Sequence, residues 1–184
     1  MAPSSPLDRR TVAVCVGIAA VAAILAGVVV SLVVDEGSEA GIGLERTRRA
    51  PSAAFTRFDG SKGSLEDYRG RDVVVNFFSS TCVPCKREMP DFEKVHREAG
   101  DEVTFLGIDV QDTPAAGREM VRVTGVTYDT GQDPAGTLFN RFGATLLPAT
   151  AFVASDGTIL ELHTGRLTAA ELRRKISAHF LGGG

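Results

Sequence analysis

Two apolar runs restrict this chain more than any other feature: DVVVNFFSS at residues 72–80 and VTFLGIDV at residues 103–110. Each holds apolar residues at consecutive positions and is rich in β-branched and aromatic side chains. That is the pattern of a strand buried on both faces. Between them, from Pro84 to about Ala99, a polar stretch carries Met89, Phe92 and Val95 at helical spacing. Strand, helix, strand in that order make a parallel pair with a crossover. Further helices are predicted at 114–124 and at 134–142, the latter with Leu138, Phe139 and Phe142 on one side. The segment ATAFVASDGTILELHTG (149–165) reads as two strands around the Asp156-Gly157 turn. Thr168 and Glu171 form a capping box ahead of a stripe of Leu172, Ile176 and Phe180. The expected domain is α/β, a mixed sheet with helices on its faces. With 43% apolar residues among 184, one packed core and some appendages are affordable.

One appendage stands at the N-terminus. Residues 11–34 carry no charge, and roughly 20 apolar residues suffice for a helix to cross a bilayer. A cleaved signal peptide has a shorter apolar core, about 7–15 residues, so a retained anchor is favoured. Cys15 opens this run and reads as a small apolar residue. The expected organisation is a short cytoplasmic N-terminus (1–10), a single transmembrane helix (11–34), a flexible tether (35–50) and the folded domain (51–184). Arg9 and Arg10 precede the run, while Asp35, Glu36 and Glu39 follow it, which favours an inside N-terminus. Arg46, Arg48 and Arg49 weaken that bias. The net charge of −3, without a basic cluster, speaks against nucleic acid as a partner.

The chemistry-bearing stretch is Cys82-Val83-Pro84-Cys85. A structural zinc site needs a second ligand pair, and His96, His163 and His179 are scattered. Haem attachment needs a histidine where Lys86 stands. A cysteine–histidine pair with His96 fails, because eleven residues along one helix span about 16 Å. A peroxiredoxin-type site would place a proline at Val75. A static disulfide closing so short a loop removes little chain entropy. A redox pair fits the position, just after a buried strand and at the start of a helix. Free N–H groups and the helix dipole there favour a thiolate. Cys82 is then the nucleophile and Cys85, one turn on, the resolving thiol. Pro84 suits the first helical turn, and Pro90 is expected to kink the helix. Lys86 and Arg87 add positive charge or simply form a solvated helix face.

The segments SLEDYRGRDVVVNFFSSTCVPCKREMP, FLGIDVQDTPAAGREMV and FNRFGATLLPATAFVASDGTILELHTGRLTAAELRRKI carry a resemblance to the thioredoxin superfamily. Within it, the stretch from Pro51 to Leu181 resembles the membrane-tethered TlpA/ResA/CcmG-like thiol–disulfide oxidoreductases. The resemblance implies a thioredoxin-like fold without a cofactor. It implies that Pro148 is cis and packs against the CxxC pair, and that Leu147 before it touches the partner and tunes the potential. Asn76 stands where thioredoxins proper carry a buried Asp. An amide cannot titrate, so Cys85 needs another proton acceptor: Glu88, one turn on, or Asp109, ending the second core strand. Each is otherwise readable as an ordinary surface or strand-end carboxylate. Where the family has Trp before the first Cys, this chain has Thr81. By resemblance the function is extracytoplasmic reduction of protein disulfides, including apocytochrome c cysteines, with electrons from a membrane thiol-transfer protein. The alternatives are a thiol oxidant for secreted proteins, and a copper-carrying or apoprotein-binding module without turnover. Copper-carrying relatives have a wider Cys spacing than this one.

Overall fold

The computed structural model describes residues 48–182. The apolar run 11–34, Cys15 and all but the end of the expected tether lie outside the described residues. Among the described residues, no helix is long and apolar enough to cross a membrane.

The strands are β1 (Ala54–Arg57), β2 (Lys62–Ser64), β3 (Val73–Phe78), β4 (Thr104–Val110), β5 (Asp129–Asp133), β6 (Ala149–Val153) and β7 (Ile159–Thr164). The helices are α1 (Val83–Ala99), α2 (Pro114–Thr124), α3 (Thr137–Phe142) and α4 (Ala169–Ile176). A 3-10 turn covers Leu65–Tyr68, and a π turn, Ser177–Leu181, extends α4. The strands form one mixed sheet in the order β2-β1-β5-β4-β3-β6-β7. As the two apolar runs require, β3 and β4 are central and parallel, with Phe78 opposite Asp109. On its other side β3 pairs antiparallel with β6, placing Asn76 opposite Thr150. The α/β, thioredoxin-like arrangement expected from the sequence is present.

Alternation along the strands creates two cores. Val73, Val75 and Phe77 of β3, with Leu106 and Ile108 of β4 and Ala149 and Ala151 of β6, meet α3 and the 3-10 turn. Phe77 is the centre of this layer, 5.5 Å from Phe139 and 5.2 Å from Phe142 in edge-on geometry. Val74, Phe78, Phe105 and Phe152 face the other way, against Met89, Phe92, Met120 and Leu172 of the longer helices. The capping box at Thr168 forms as expected, with the Glu171 side chain returning to the Thr168 N–H at 2.8 Å. Phe180 reaches the second core from the π turn, 6.1 Å from Phe152.

Three features add to or depart from expectation. First, α1 carries Pro90 within it and runs on to Ala99, the span its helical spacing predicts. Second, α3 begins at Thr137 and not at Pro134, because Asp133 supplies the cap from outside. Its carboxylate accepts from the N–H groups of Thr137 and Phe139, both at 2.9 Å. Third, β1, β2 and β5 were not expected. The β5 sequence, DTGQD, has no strand signature. It is accepted between β1 and β4 because Gly131 leaves room for the Phe55 ring, which a Cβ would overlap.

The chain enters the domain before Pro51. Arg49 bridges to Thr158, the Ala50 N–H donates to Gly157 O at 2.8 Å, and the Ile159 N–H donates to Arg48 O at 2.7 Å. Residues 48–50, at the end of the expected tether, are therefore held on the β6–β7 turn.

Candidate active site

The parallel β3–β4 pair delivers the chain to the C-terminal edge of β3, where it turns into α1. Cys82 is the N-cap of α1, with extended backbone, and Pro84 lies in the first turn. The Cys82 sulfur accepts the Cys85 N–H at 3.2 Å. Cys82 and Cys85 form a disulfide with their Cα atoms 5.3 Å apart. The two sulfurs have different access. Cys85 is fully buried in the second core, while Cys82 is half-buried at its margin.

Leu147-Pro148 is a cis peptide, as the resemblance implied. Pro148 is buried and immediately precedes β6, whose Ala149 pairs with Phe77. This register brings the proline to the same edge of the sheet as Cys82. Leu147 packs against the cluster that holds both cysteines. Around this edge, Val83 is 60% exposed and Leu146 is 66% exposed, an apolar rim where isolated apolar residues are otherwise unremarkable.

Beneath the disulfide lies a polar pair. The Asn76 Nδ2 donates to Glu88 Oε1 at 2.8 Å, and the Leu167 backbone N–H donates to Glu88 Oε2 at 3.1 Å. Glu88 is fully buried, so its reading as a surface carboxylate is corrected. Burial pushes its carboxyl up to about 7, against the opposing pull of those two hydrogen bonds. The sequence contained the signal: Cys85, Glu88, Met89, Phe92 and Val95 lie on one helical stripe, with Glu88 in the middle of it.

Asp109 is also buried, but in different company. Its Oδ2 accepts from Gln132 Nε2 at 3.3 Å, and burial together with the facing Asp112 carboxylate pushes it up to about 7. Asp112 in turn accepts from the N–H and the hydroxyl of Ser80. The structure thus brings Asn76 to Glu88, and sets Asp109 with Asp112 and Gln132. Sequence reasoning missed Asp112 and Ser80, which meet across 32 residues. Among the described residues, no three His, Cys, Asp or Glu side chains converge as a metal site would require.

A disulfide of unequal access at a helix N-terminus, faced by a cis-proline on a mixed sheet, defines a thiol–disulfide oxidoreductase of the thioredoxin-like class. Comparison with known proteins agrees. The chain belongs to the AhpC/TSA family, whose sequence model matches residues 47–162. It is 27% identical over 143 residues to the thioredoxin-like protein YneN of Bacillus subtilis, covering 76% of this chain and 83% of that one. It is 26% identical over 132 residues to the thiol-disulfide oxidoreductase ResA of Bacillus thuringiensis, covering 70% and 75%. Among solved structures it resembles MTB dsbF in its mixed oxidized and reduced forms. There the TM-score is 0.65 and the identity 30%, over 69% of this chain and 94% of that one.

Proposed function

We propose that this enzyme is a membrane-anchored, extracytoplasmic reductant of protein disulfides, with Cys82 as nucleophile and Cys85 as resolving thiol. The observation that carries the reading is the buried Glu88 carboxylate one helical turn beyond Cys85, with its affinity for a proton near neutrality. In the reduced enzyme the Cys82 thiolate attacks a client disulfide, and one client thiolate leaves. The Cys85 thiol passes its proton to Glu88 and attacks the Cys82 sulfur, releasing the second client thiolate. Two electrons have moved to the client, and the Cys82–Cys85 disulfide is restored. A membrane thiol-transfer protein would return the electrons. Pro148 and Leu147, with the exposed Val83 and Leu146, offer the face on which a client segment lies. The resemblance of the Pro51–Leu181 stretch to the TlpA/ResA/CcmG-like enzymes supports apocytochrome c cysteines as clients. The run at 11–34 supports the anchor.

Equilibration with glutathione buffers tests the direction. A potential at or below about −250 mV, on the thioredoxin side of the scale, fits a reductant. A potential near about −120 mV overturns it and favours the second reading, a thiol oxidant. One observation favours that second reading: the Cys85 N–H on the Cys82 sulfur stabilises a thiolate and so the reduced form. Copper content after purification, together with an insulin-reduction assay, separates both from a copper-carrying or apoprotein-binding module. Protease added to intact cells after wall removal tests the topology. Protection of the C-terminal domain, or a mature N-terminus near residue 40, would refute the anchored-outside arrangement.

A further inference from the structure

The loop that presents Cys82 is pinned to the connection after β4 through a single carboxylate, that of Asp112. Ser80 stands two residues before Cys82. Its backbone N–H donates to Asp112 Oδ2, and its hydroxyl donates to Asp112 Oδ1 at 3.0 Å. The same loop is closed on itself by the Cys82 N–H donating to Ser79 O at 3.1 Å. Both oxygens of Asp112 are therefore engaged as acceptors on the side of the cysteines.

Behind Asp112 stands Asp109, which is 1% exposed. Gln132 satisfies its Oδ2, whereas its Oδ1 has no hydrogen-bond partner among the described residues. Gly117 of α2 packs directly on this carboxyl, since a Cβ there would overlap Asp109 Oδ2. Asp112 is only half-buried and is held by Ser80, whereas Asp109 is closed in beside it, so the cost of ionising a second carboxyl in this pair falls on Asp109. That agrees with the upward shift of the Asp109 carboxyl, caused first by burial and then by Asp112.

We propose that Asp112 is a positioning residue for the reaction: it fixes Ser80, and with it the Cys82 loop, and it sets a negative charge beside the thiolate-forming end of α1, with Asp109 as its buried backing. This charge opposes the Cys82 thiolate, whereas the Cys85 N–H and the helix end favour it. Other charged groups nearby are Lys86 and Arg87 on α1, and Glu119 on α2, whose carboxylate feels Lys86. β5 contributes the neutral Gln132. The proposal concerns Cys82 itself and holds for either direction of electron flow.

The test is the titration of the Cys82 thiolate, followed by its ultraviolet absorbance in the reduced full chain, with the potential measured against glutathione. Asp112→Asn keeps the shape and removes the charge. Its Cys82 titration is expected at lower pH, with about a fivefold gain in thiolate. The glutathione equilibrium is expected to move about fivefold toward the reduced enzyme, or about 20 mV. Asp112→Glu restores the charge and is expected to titrate like the parent. Asp112→Ser reads the same quantity by a second route and does not depend on the Asn variant folding. Neutral variants that leave both the titration and the potential unchanged overturn the proposal, as does an Asp112→Glu variant that behaves like Asn.

Discussion

The two faces of the central sheet are built from different materials. On the side of α3, the buried residues of β3, β4 and β6 are apolar without exception: Val73, Val75, Phe77, Leu106, Ile108, Val110, Ala149, Ala151 and Val153. On the side of α1, the same strands carry Asn76, Asp109 and Thr150 among their aromatic and aliphatic neighbours, all of them buried. α1 adds the fully buried Glu88. Burying such groups costs stability unless they are bonded, and Asn76 Oδ1 and Asp109 Oδ1 have no hydrogen-bond partner among the described residues. One face therefore supplies cohesion, and the other gives up part of it to buried polar groups, among them Glu88 one helical turn from Cys85. Stability and redox chemistry are separated by one strand's alternation.

Substitutions can break that separation or sharpen it. The largest effect belongs to the cysteines. Cys82→Ser is expected to abolish insulin disulfide reduction, while Cys85→Ser traps mixed disulfides with clients. Alkylation of the reduced enzyme near neutral pH is expected to label Cys82 first. Faster labelling of the fully buried Cys85 would reverse their roles.

On the apolar face, Phe77→Ala is expected to cost about 3–5 kcal/mol in denaturant unfolding. The Cys82 titration of the molecules that remain folded should not change. A shifted titration would show that the two faces are coupled.

On the polar face, Glu88→Gln tests the other half. Burial pushes the Glu88 carboxyl up to about 7 in the folded protein, above the ordinary glutamate value. The folded state therefore binds the extra proton in that window. The corresponding stability is fully present below the lower value and is lost as pH rises to the upper one. Removing the carboxyl should flatten this pH dependence by about 3 kcal/mol. Asn76 can turn its unpartnered Oδ1 toward the new amide. Slower resolution of the mixed disulfide by Cys85 is expected in the same variant. An unchanged pH–stability profile would remove Glu88 from the mechanism.

The smallest effect lies outside both faces. Thr168→Ala removes the cap of α4 and is expected to cost about 1 kcal/mol in the same unfolding assay. No change in potential should accompany it.

Where local sequence and burial agree, the fold was readable from residue types. VVVNFF can only be a two-sided strand, and the Thr168–Glu171 box announces its helix without tertiary help. DTGQD became β5 only because Gly131 accommodates a ring from β1, a condition set by distant residues. The site divides in the same way. The two cysteines and the cis-proline were legible from spacing and from resemblance. The burial of Glu88 was legible in principle, since it interrupts an apolar stripe. Asp112 was not, because its meaning depends on Ser80 arriving beside it from another strand's end.

The pairing of Arg48–Ala50 with the β6–β7 turn has a mechanical consequence. A pull on the chain ahead of Arg48 is received at Gly157, Thr158 and Ile159. β6, five residues long, separates that turn from Pro148, a lever arm of about 17 Å at strand rise. The load enters at one pole of the sheet while the disulfide works at the other. Under the proposed anchoring, a load on the chain is received at the β6–β7 corner, at the opposite end of β6 from the cis-proline and the exchange face.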